Sequence, residues 1–414
     1  MREIKALKKD DFDNYVMNIA YKAYPSFKDY SDDGIASFKR LANIRYEDEK
    51  SKFWAMYEDE KLLAAMRLID FDMNFFNTMI KSSGLASLGV DLLHKKEKIA
   101  KEMIIFYENL YREKNIPIAM LLPFATDFYK KMGYGFGPKM NRYRIKASNV
   151  PACFEKADLR YVDRDNLAEL FNLHNQYVKQ VHGMLEKISD EIDDLLTNNQ
   201  NIIVGNYENN KMTGYLVFEF ENGKDDNYTI NNMIVKELVY LDSVTLRKLL
   251  GFIKKQEDQV NIVVFDTQNE GFVHLFANPL NDSLNYIPFG NLETNTQAIG
   301  VMYKILNVKQ AFELYNYRNY NNVSLKTKLV IVDEYQNEAE VFVEFVDGKA
   351  LTTNTEYDVC LKLGIADFSS LFLGCITIKD LYRHGLLELD NLEYLDKLSL
   401  AYTVDTKPEC NTDF

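Results

Sequence analysis

Apolar and polar residues follow the same pattern in two segments of the chain, each made of two apolar runs around a polar turn. The first segment is Lys52–Leu68 and the second is Asn201–Val217. Both turns read Tyr-Glu-Asx-x-Lys, at Tyr57–Lys61 and at Tyr207–Lys211. Polar turns between apolar runs are typical of β-hairpins, so the pattern predicts the same hairpin twice.

The regions before and after the two hairpins also match. An amphipathic helix is predicted before each hairpin, because apolar residues recur there every three or four positions. A strand, a long helix and a further strand are predicted after it. These segments are Asp11–Ala23, Leu85–Val90, Lys95–Lys114 and Ile116–Leu122 in the first copy, and Asp165–Val181, Thr229–Val235, Ser243–Gln256 and Val260–Phe265 in the second. An internal repeat therefore organises the chain up to about residue 295.

A different pattern follows the repeat. A hairpin around Tyr335, a strand and three helical segments predict a smaller α+β domain with its own core. The segments are Leu329–Asp333, Ala339–Val346, Tyr357–Leu363, Ile365–Phe372, Ile378–His384 and Leu392–Leu400. A chain of 414 residues is too long for one core. With polar linkers at 146–150 and 290–295, we expect three domains, at 1–146, 147–294 and 295–414.

Composition restricts the function further. The chain has 62 acidic and 49 basic residues and a net charge of −13, which disfavours nucleic acid because its binding depends on Lys and Arg. An acidic surface suits cationic small ligands, although it also serves solubility alone. Four dispersed cysteines and five dispersed histidines predict no metal site. The lack of a signal-peptide pattern and of an apolar run of about 18 residues predicts a cytoplasmic protein without a membrane partner.

The segment Leu85–Ala100 has the clearest chemical character. A buried strand leads into a turn with Lys95, Lys96 and Lys98, and a helix follows. A helix N-terminus has unpaired N–H groups and the positive end of the helix dipole, and both attract anions. The segment predicts a pyrophosphate site; the alternative is a basic helix start on a solvated face.

The same segment resembles the acyl-CoA-binding motif of GNAT acetyltransferases, V-x-V-x-P-x-[HY]-R-R-x-G-[IL]-[AGL]. The resemblance implies acetyl-CoA as cosubstrate. The residues that it assigns to acetyl-CoA are Leu88, Gly89, Val90, Lys95, Lys96, Lys98, Ile99 and Ala100. Two residues depart from the motif. Leu92 replaces Pro, and Lys98 replaces the Gly that lets the backbone approach phosphate, so Lys98 either compensates by charge or weakens the binding.

A second stretch, Leu121–Gly135, is similar to the GNAT strand and short helix that carry [FY]-Y-x-x-x-G-[FY] beside the CoA thiol. Tyr129 stands at the family's general-acid position, where a hydroxyl protonates the departing thiolate. The alternative is an aromatic residue that only packs. In the second repeat the corresponding junction, Met233–Asp242, has neither a basic turn nor a Gly, so we expect that half to have lost CoA binding.

The whole chain resembles the Eis (enhanced intracellular survival) family, which has two GNAT-type halves, a sterol carrier protein-like C-terminal domain and a terminal Phe. Gly300–Phe312 and Leu373–Leu381 carry the C-terminal match, with Lys304 where that family has Arg. In that family the terminal carboxylate is the general base of the first half. The resemblance thus assigns this role to Phe414, and the alternative is a disordered tail. It also implies a homo-oligomer, such as a hexamer.

The expected fold class is α+β, with two tandem GNAT-type domains of mixed sheet and flanking helices before a sterol carrier protein-like domain. The expected function is acetyl-CoA-dependent N-acetylation of a primary amine, on a small molecule or a lysine-like acceptor, by direct transfer. The Phe414 carboxylate accepts the amine proton, a strand-edge N–H between Leu88 and Val90 polarises the carbonyl, and Tyr129 donates a proton. The alternative is a non-catalytic protein of the same fold that binds acyl-CoA, a lipid or another small ligand.

Overall fold

The structure is a computed structural model that describes residues 1–23, 31–164, 167–283, 285–335, 339–353 and 356–414. Its chain forms two compact units. The first comprises Met1–Gly137, Gly300–Pro408 and Asp413–Phe414, and the second comprises Pro138–Ile299 and Glu409–Thr412. Two parts of the sequence predictions, the hairpin turn at 336–338 and the start of the helix at 165–166, lie outside the described residues.

The first 137 residues build most of a mixed sheet with helices on both faces. The strands are β1 Arg2–Ala6, β2 Ser51–Glu58, β3 Lys61–Phe75, β4 Thr78–Val90, β5 Ile118–Leu121 and β6 Gly135–Phe136. The helices are α1 Lys9–Asn14, α2 Tyr21–Ala23, α3 Asp32–Glu47, α4 Ile99–Glu113 and α5 Thr126–Lys131, with a π-helical segment at Tyr15–Ala20. Helix α4 packs on one face of the sheet, and the π-helical segment packs on the other.

Residues 138–299 build a second sheet of the same kind. The strands are β7 Lys139–Lys146, β8 Asp158–Tyr161, β9 Ile202–Glu208, β10 Lys211–Asn222, β11 Asn231–Tyr240, β12 Val260–Thr267 and β15 Asn295–Ile299, with a separate hairpin of β13 Tyr286–Ile287 and β14 Asn291–Leu292. The helices are α6 Ala168–Val178, α7 Ser189–Thr197 and α8 Ser243–Lys254. The strand order is β15-β7-β12-β11-β10-β9-β8, with β11 and β12 parallel.

Residues 300–408 contribute one strand to the first sheet and form a third sheet. The strands are β16 Met302–Ile305, β17 Leu325–Val332, β18 Ala339–Val346, β19 Lys349–Thr353, β20 Val359–Gly364 and β21 Leu387–Leu389. The helices are α9 Val308–Leu314, α10 Ile365–Phe372, α11 Ile378–Arg383 and α12 Leu395–Tyr402. The third sheet has the order β19-β18-β17-β20-β21. Together with these helices it forms the smaller α+β part that the sequence predicts.

Strand β16 lies after the predicted domain start at residue 295 and belongs to the first sheet. The first sheet has the order β1-β2-β3-β4-β5-β16-β6, so β16 lies between two strands of the N-terminal domain. Lys304 in β16 is buried, and its Nζ lies 2.9 Å from the Glu108 carboxylate and 3.0 Å from Asp333. A buried charge needs such partners, and here they hold the strand in place.

Strand β7 lies before the predicted boundary at residue 146 and belongs to the second sheet. It pairs with both β12 and β15, and Tyr143 and Ile145 lie in the apolar cluster of that sheet. Alternating buried and exposed residues give β7 one apolar face, which the second sheet covers. The second unit therefore begins at Pro138.

The internal repeat is present as predicted. The hairpins β2–β3 and β9–β10 turn at Asp59–Glu60 and Asn209–Asn210, and all four residues have φ between 47° and 66°. Positive φ at both central residues defines a type I′ turn, which suits the twist of a two-residue hairpin. After each hairpin the sheet has one parallel pair, β4–β5 or β11–β12.

Candidate active site

Strand β4 separates from β5 at the point where the sequence predicts acyl-CoA binding. Parallel pairing with β5 covers Ser83–Leu85, and β4 continues to Val90. The pairing of β4 with β3 shifts register in the same region, and Ser87 has a φ of 49°. A bulge of this kind bends its strand locally. Leu88, Gly89 and Val90 lie in the part of β4 that extends beyond its pairing with β5.

The basic turn after β4 leads directly into helix α4. Leu92–His94 form a short 3-10 turn, and the Asp91 carboxylate accepts a hydrogen bond from the Leu93 N–H at 2.9 Å. Lys96 and Lys98 both have positive φ, and Lys98 is the N-cap residue of α4 in the left-handed conformation. Glycine adopts this conformation without strain, which explains why the GNAT motif has Gly at this position.

The left-handed conformation of Lys98 predicts a difference between two substitutions at that exposed position. Lys98→Gly should leave the free energy of unfolding unchanged or raise it. The substitution removes about 1 kcal/mol of backbone strain, and this gain offsets the larger conformational entropy that glycine loses on folding. Lys98→Val should lower it by on the order of 1 kcal/mol, since β-branched residues avoid positive φ. Urea unfolding of the full chain measures both. Equal values for the two variants would contradict the left-handed assignment.

The N-terminus of α4 carries the remaining predicted cofactor residues. The Ile99 side chain is buried in the apolar cluster of α4 and anchors the helix start, with Ala100 beside it. Lys95 and Lys96 are exposed. Glu97 in the same turn forms an ion pair with Arg2, and its carboxylate lies 3.2 Å from Nδ1 of His94. Its negative charge is thereby compensated, which leaves the lysines as the excess charge at the helix start.

Tyr129 lies in helix α5 and is 9% exposed. Its ring packs edge-to-face against Phe128 and Tyr134, with centroids 5.2 and 6.2 Å away. The structure brings Tyr129 into one apolar cluster with Leu85, Val90 and Ile99, and Leu88 and Ala100 pack against that cluster. Tyr129 and the predicted cofactor residues therefore lie together, and its role as general acid stays a prediction.

Phe414 contacts strand β4 on the face of the sheet opposite to helix α4. Its ring centroid is 4.9 Å from that of Phe71 in β3. A Cβ on Gly84 of β4 would lie 2.3 Å from the Phe71 ring and 3.0 Å from the Phe414 ring, so only glycine leaves room. Gly84 neighbours Leu85, which faces α4, and alternate residues of a strand face opposite sides. The described tail thus ends in an aromatic contact, and the base role of its carboxylate stays a prediction.

Sequence reasoning missed Phe71 and Gly84. A glycine inside a strand signals close approach of another group, and Gly84 carries that signal. The ring of Phe414 is the group that approaches Gly84, and no local sequence pattern indicates this contact. The sequence alone also gave no sign that Glu97 would be compensated by Arg2, because the two residues meet only after β1 joins the sheet.

The second repeat differs at the corresponding helix start. The N-cap residue of α8 is Asp242, whose carboxylate accepts hydrogen bonds from the N–H of Thr245 at 2.8 Å and from its hydroxyl at 3.2 Å. A carboxylate of the chain therefore occupies the place where an anion would bind. In α4, by contrast, the Lys98 side chain makes no capping hydrogen bond within the described part of the chain.

No helix in the described ranges is long and apolar enough to cross a membrane. No group of three His, Cys, Asp or Glu side chains in the same ranges is arranged to hold a metal ion. The expectation that the protein needs no metal stays a prediction from the sequence.

Family models assign three domains to the chain. A GNAT acetyltransferase domain matches residues 3–137, and a second GNAT acetyltransferase domain matches residues 183–289. A sterol carrier protein domain matches residues 308–411. No curated protein matches the sequence. The predicted fold class, two tandem GNAT domains followed by a sterol carrier protein-like domain, is confirmed.

Solved structures share this fold over the whole chain. A GCN5-related N-acetyltransferase from Anabaena variabilis has 17% identity and a TM-score of 0.83, and covers 100% of both chains. A conserved protein of unknown function from Enterococcus faecalis has 17% identity and a TM-score of 0.80, with the same coverage. Eis1 from Mycobacterium abscessus has 13% identity and a TM-score of 0.78, again with 100% of both chains covered. The chain is thus a GNAT acyltransferase with two acetyltransferase domains and a C-terminal sterol carrier protein domain.

Proposed function

We propose that the first GNAT domain transfers an acetyl group from acetyl-CoA to a primary amine of a small molecule or of a lysine-like acceptor. The observation that carries this proposal is the start of α4. There Lys95, Lys96 and Lys98 lie at a helix N-terminus that has no side-chain cap from Lys98, and this helix follows the part of β4 that extends beyond β5. Asp242 fills the corresponding position of the second domain, so the site is proposed in the first domain alone.

The residues of the first unit divide the chemistry between them. The lysines and the N–H groups of α4 hold the phosphates. Bound acetyl-CoA supplies an acetyl group as a thioester. The Phe414 carboxylate takes a proton from the acceptor ammonium, since only the free amine attacks, and Tyr129 donates a proton to the departing sulfur. A strand-edge N–H between Leu88 and Val90 polarises the carbonyl.

The experiment that tests this function is a screen of amines with acetyl-CoA, in which free CoA thiol reports turnover. Turnover with at least one primary amine supports the proposal. Binding of acetyl-CoA without any turnover would favour the second candidate, a binding protein that keeps the fold. The replacement of the motif Gly by Lys98 is the observation that favours this second candidate.

The double substitution Lys95→Glu and Lys96→Glu should weaken acetyl-CoA binding at least tenfold. Charge-assisted contacts contribute on the order of 1.5–3 kcal/mol each, and the reversed charges repel phosphate. Isothermal titration of both proteins with acetyl-CoA measures the loss. Lys8→Glu with Lys9→Glu is the matched control, because it makes the same charge change at another exposed pair of the first unit. Equal affinity in the two double variants would place the site elsewhere.

A homo-oligomeric state, such as a hexamer, and a cytoplasmic location belong to the same proposal. The resemblance to the Eis family supports the homo-oligomeric state. Sedimentation of the purified chain measures the oligomer directly.

A further inference from the structure

A pocket in the second unit lies where β11 and β12 separate. The two strands pair as far as Val235 and Phe265, and the residues beyond these positions line the pocket. Helices α6 and α7 and the tail segment 409–412 close its sides. The pocket lies entirely within the second unit, so it is distinct from the residues at the start of α4.

Aromatic and apolar side chains form part of the pocket wall. Tyr177 and Tyr240 stand with ring centroids 6.1 Å apart and their planes inclined at 54°. Phe265, Phe272 and Met184 supply much of the remaining apolar wall. Aromatic faces attract cations, and apolar walls accept an aliphatic body.

Four charged groups at the pocket form two ion pairs. Lys187 is almost fully buried, and its Nζ lies 2.8 Å from both carboxylate oxygens of Glu237. The Tyr215 hydroxyl donates a third hydrogen bond to Glu237 at 2.7 Å. On β12, Asp266 is paired in the same way with Arg142, at 2.8 and 2.6 Å. These four charged groups therefore contribute no net charge. Lys236 also lines the pocket, and it is paired with Glu219 at 2.7 Å.

Two further carboxyl groups have no cation of their own. Glu191 accepts the N–H of Ile188 at 3.1 Å and is 4.0 Å from Lys187, which Glu237 already binds. Glu409 is half-buried, and within the described ranges no hydrogen bond or ion pair is made by its carboxylate. Burial raises the pKa of each of the two groups to about 7. The pocket thus has an excess of carboxylates over cations.

We propose that this pocket binds a small aliphatic amine, whose ammonium group pairs with the Glu409 carboxylate beside the rings of Tyr177 and Tyr240. A cationic ligand neutralises the excess negative charge of the carboxylates. A neutral ligand would leave that charge unchanged, and an anion would increase it. A diamine suits the pocket best, because Glu191 offers a second carboxylate. Binding needs neither acetyl-CoA nor catalysis, so this inference stands apart from the proposed function.

The test is isothermal titration of the full chain at pH 8 with 1,4-diaminobutane and with 1,4-butanediol, which has a similar length and no charge. The diamine should bind and the diol should not. Glu409→Gln keeps the shape and removes the charge, and should weaken diamine binding at least tenfold. Asp405→Asn, an exposed carboxylate of the same tail, is the matched control and should bind like the parent chain. Tyr240→Leu provides a second variant and should weaken binding severalfold.

The affinity for the diamine should also fall about tenfold between pH 8 and pH 6, because a proton and the ammonium compete for Glu409. The other ionisable groups that line the pocket are His174, Tyr177, Lys187, Glu191, Lys236, Glu237, Tyr240 and Asp266. Of these, Glu191 also has a pKa near 7, so Glu409→Gln should reduce the pH dependence without removing it. Equal binding of diol and diamine, or unchanged diamine binding in both Glu409→Gln and Tyr240→Leu, would overturn the proposal.

Discussion

Adding residues after Phe414 should reduce acetyl transfer at least 100-fold, because the extension converts the terminal carboxylate into an amide. A general base must be within hydrogen-bond reach of the proton that it takes, and a displacement of about 1 Å costs up to 10²-fold. Deleting Phe414 should have a similar effect, since it withdraws the carboxylate by up to ~3.5 Å. Steady-state rates with a primary amine measure both effects.

Three controls separate this role from folding. The same extension placed before Met1 should leave the rate unchanged, because Met1 is exposed. The melting temperature and the acetyl-CoA affinity should change little in the extended chain, since the lysines at the start of α4 stay intact. Phe414→Ala keeps the carboxylate and loses the contact with Phe71, so it should lower the rate by a smaller factor. Full activity of a C-terminally extended chain would remove the carboxylate from the mechanism.

The repeated unit could be predicted from sequence because its signals are local. Hairpin turns at Asp59–Glu60 and Asn209–Asn210 and the helical spacing before and after them need no distant partner. The place of β16 could not be predicted in this way. Its four buried residues include the charged Lys304, and only the pairing with β5 and β6 shows which sheet they complete. Long-range strand pairing is decided by tertiary packing, which a local pattern does not contain.

The candidate site also combines local features, which the sequence predicts, with long-range contacts, which it does not. The basic turn and the helix start of α4 are contiguous in sequence, so the motif located them, and the left-handed Lys98 gives the motif Gly a physical reason. The contact of Phe414 with Phe71 joins residues more than 300 positions apart. The pocket of the second unit combines Glu409 with Lys187 and Glu237 in the same way. Sites assembled from distant segments become visible only in the folded chain.

Tyr129→Phe should lower kcat about 100-fold while the KM for acetyl-CoA changes less than about twofold. General acid catalysis contributes roughly 10²–10⁴-fold, and a thiolate is a tolerable leaving group, so the lower end applies. The ring contacts with Phe128 and Tyr134 remain in the variant, so the apolar cluster around it is kept. Steady-state kinetics with saturating amine measure the two parameters separately.

The matched control for Tyr129 is Tyr134→Phe, which removes a hydroxyl from the neighbouring ring. The Tyr134 hydroxyl is buried and makes no hydrogen bond within the described residues, so its loss should leave the rate unchanged and stability equal or higher. If Tyr129 alone is the general acid, Tyr129→Phe and Tyr134→Phe must differ in their rates. If Tyr129→Phe retains a rate within about twofold of the parent chain, or if both variants lose activity equally, the proton must come from another group and Tyr129 is a packing residue of α5.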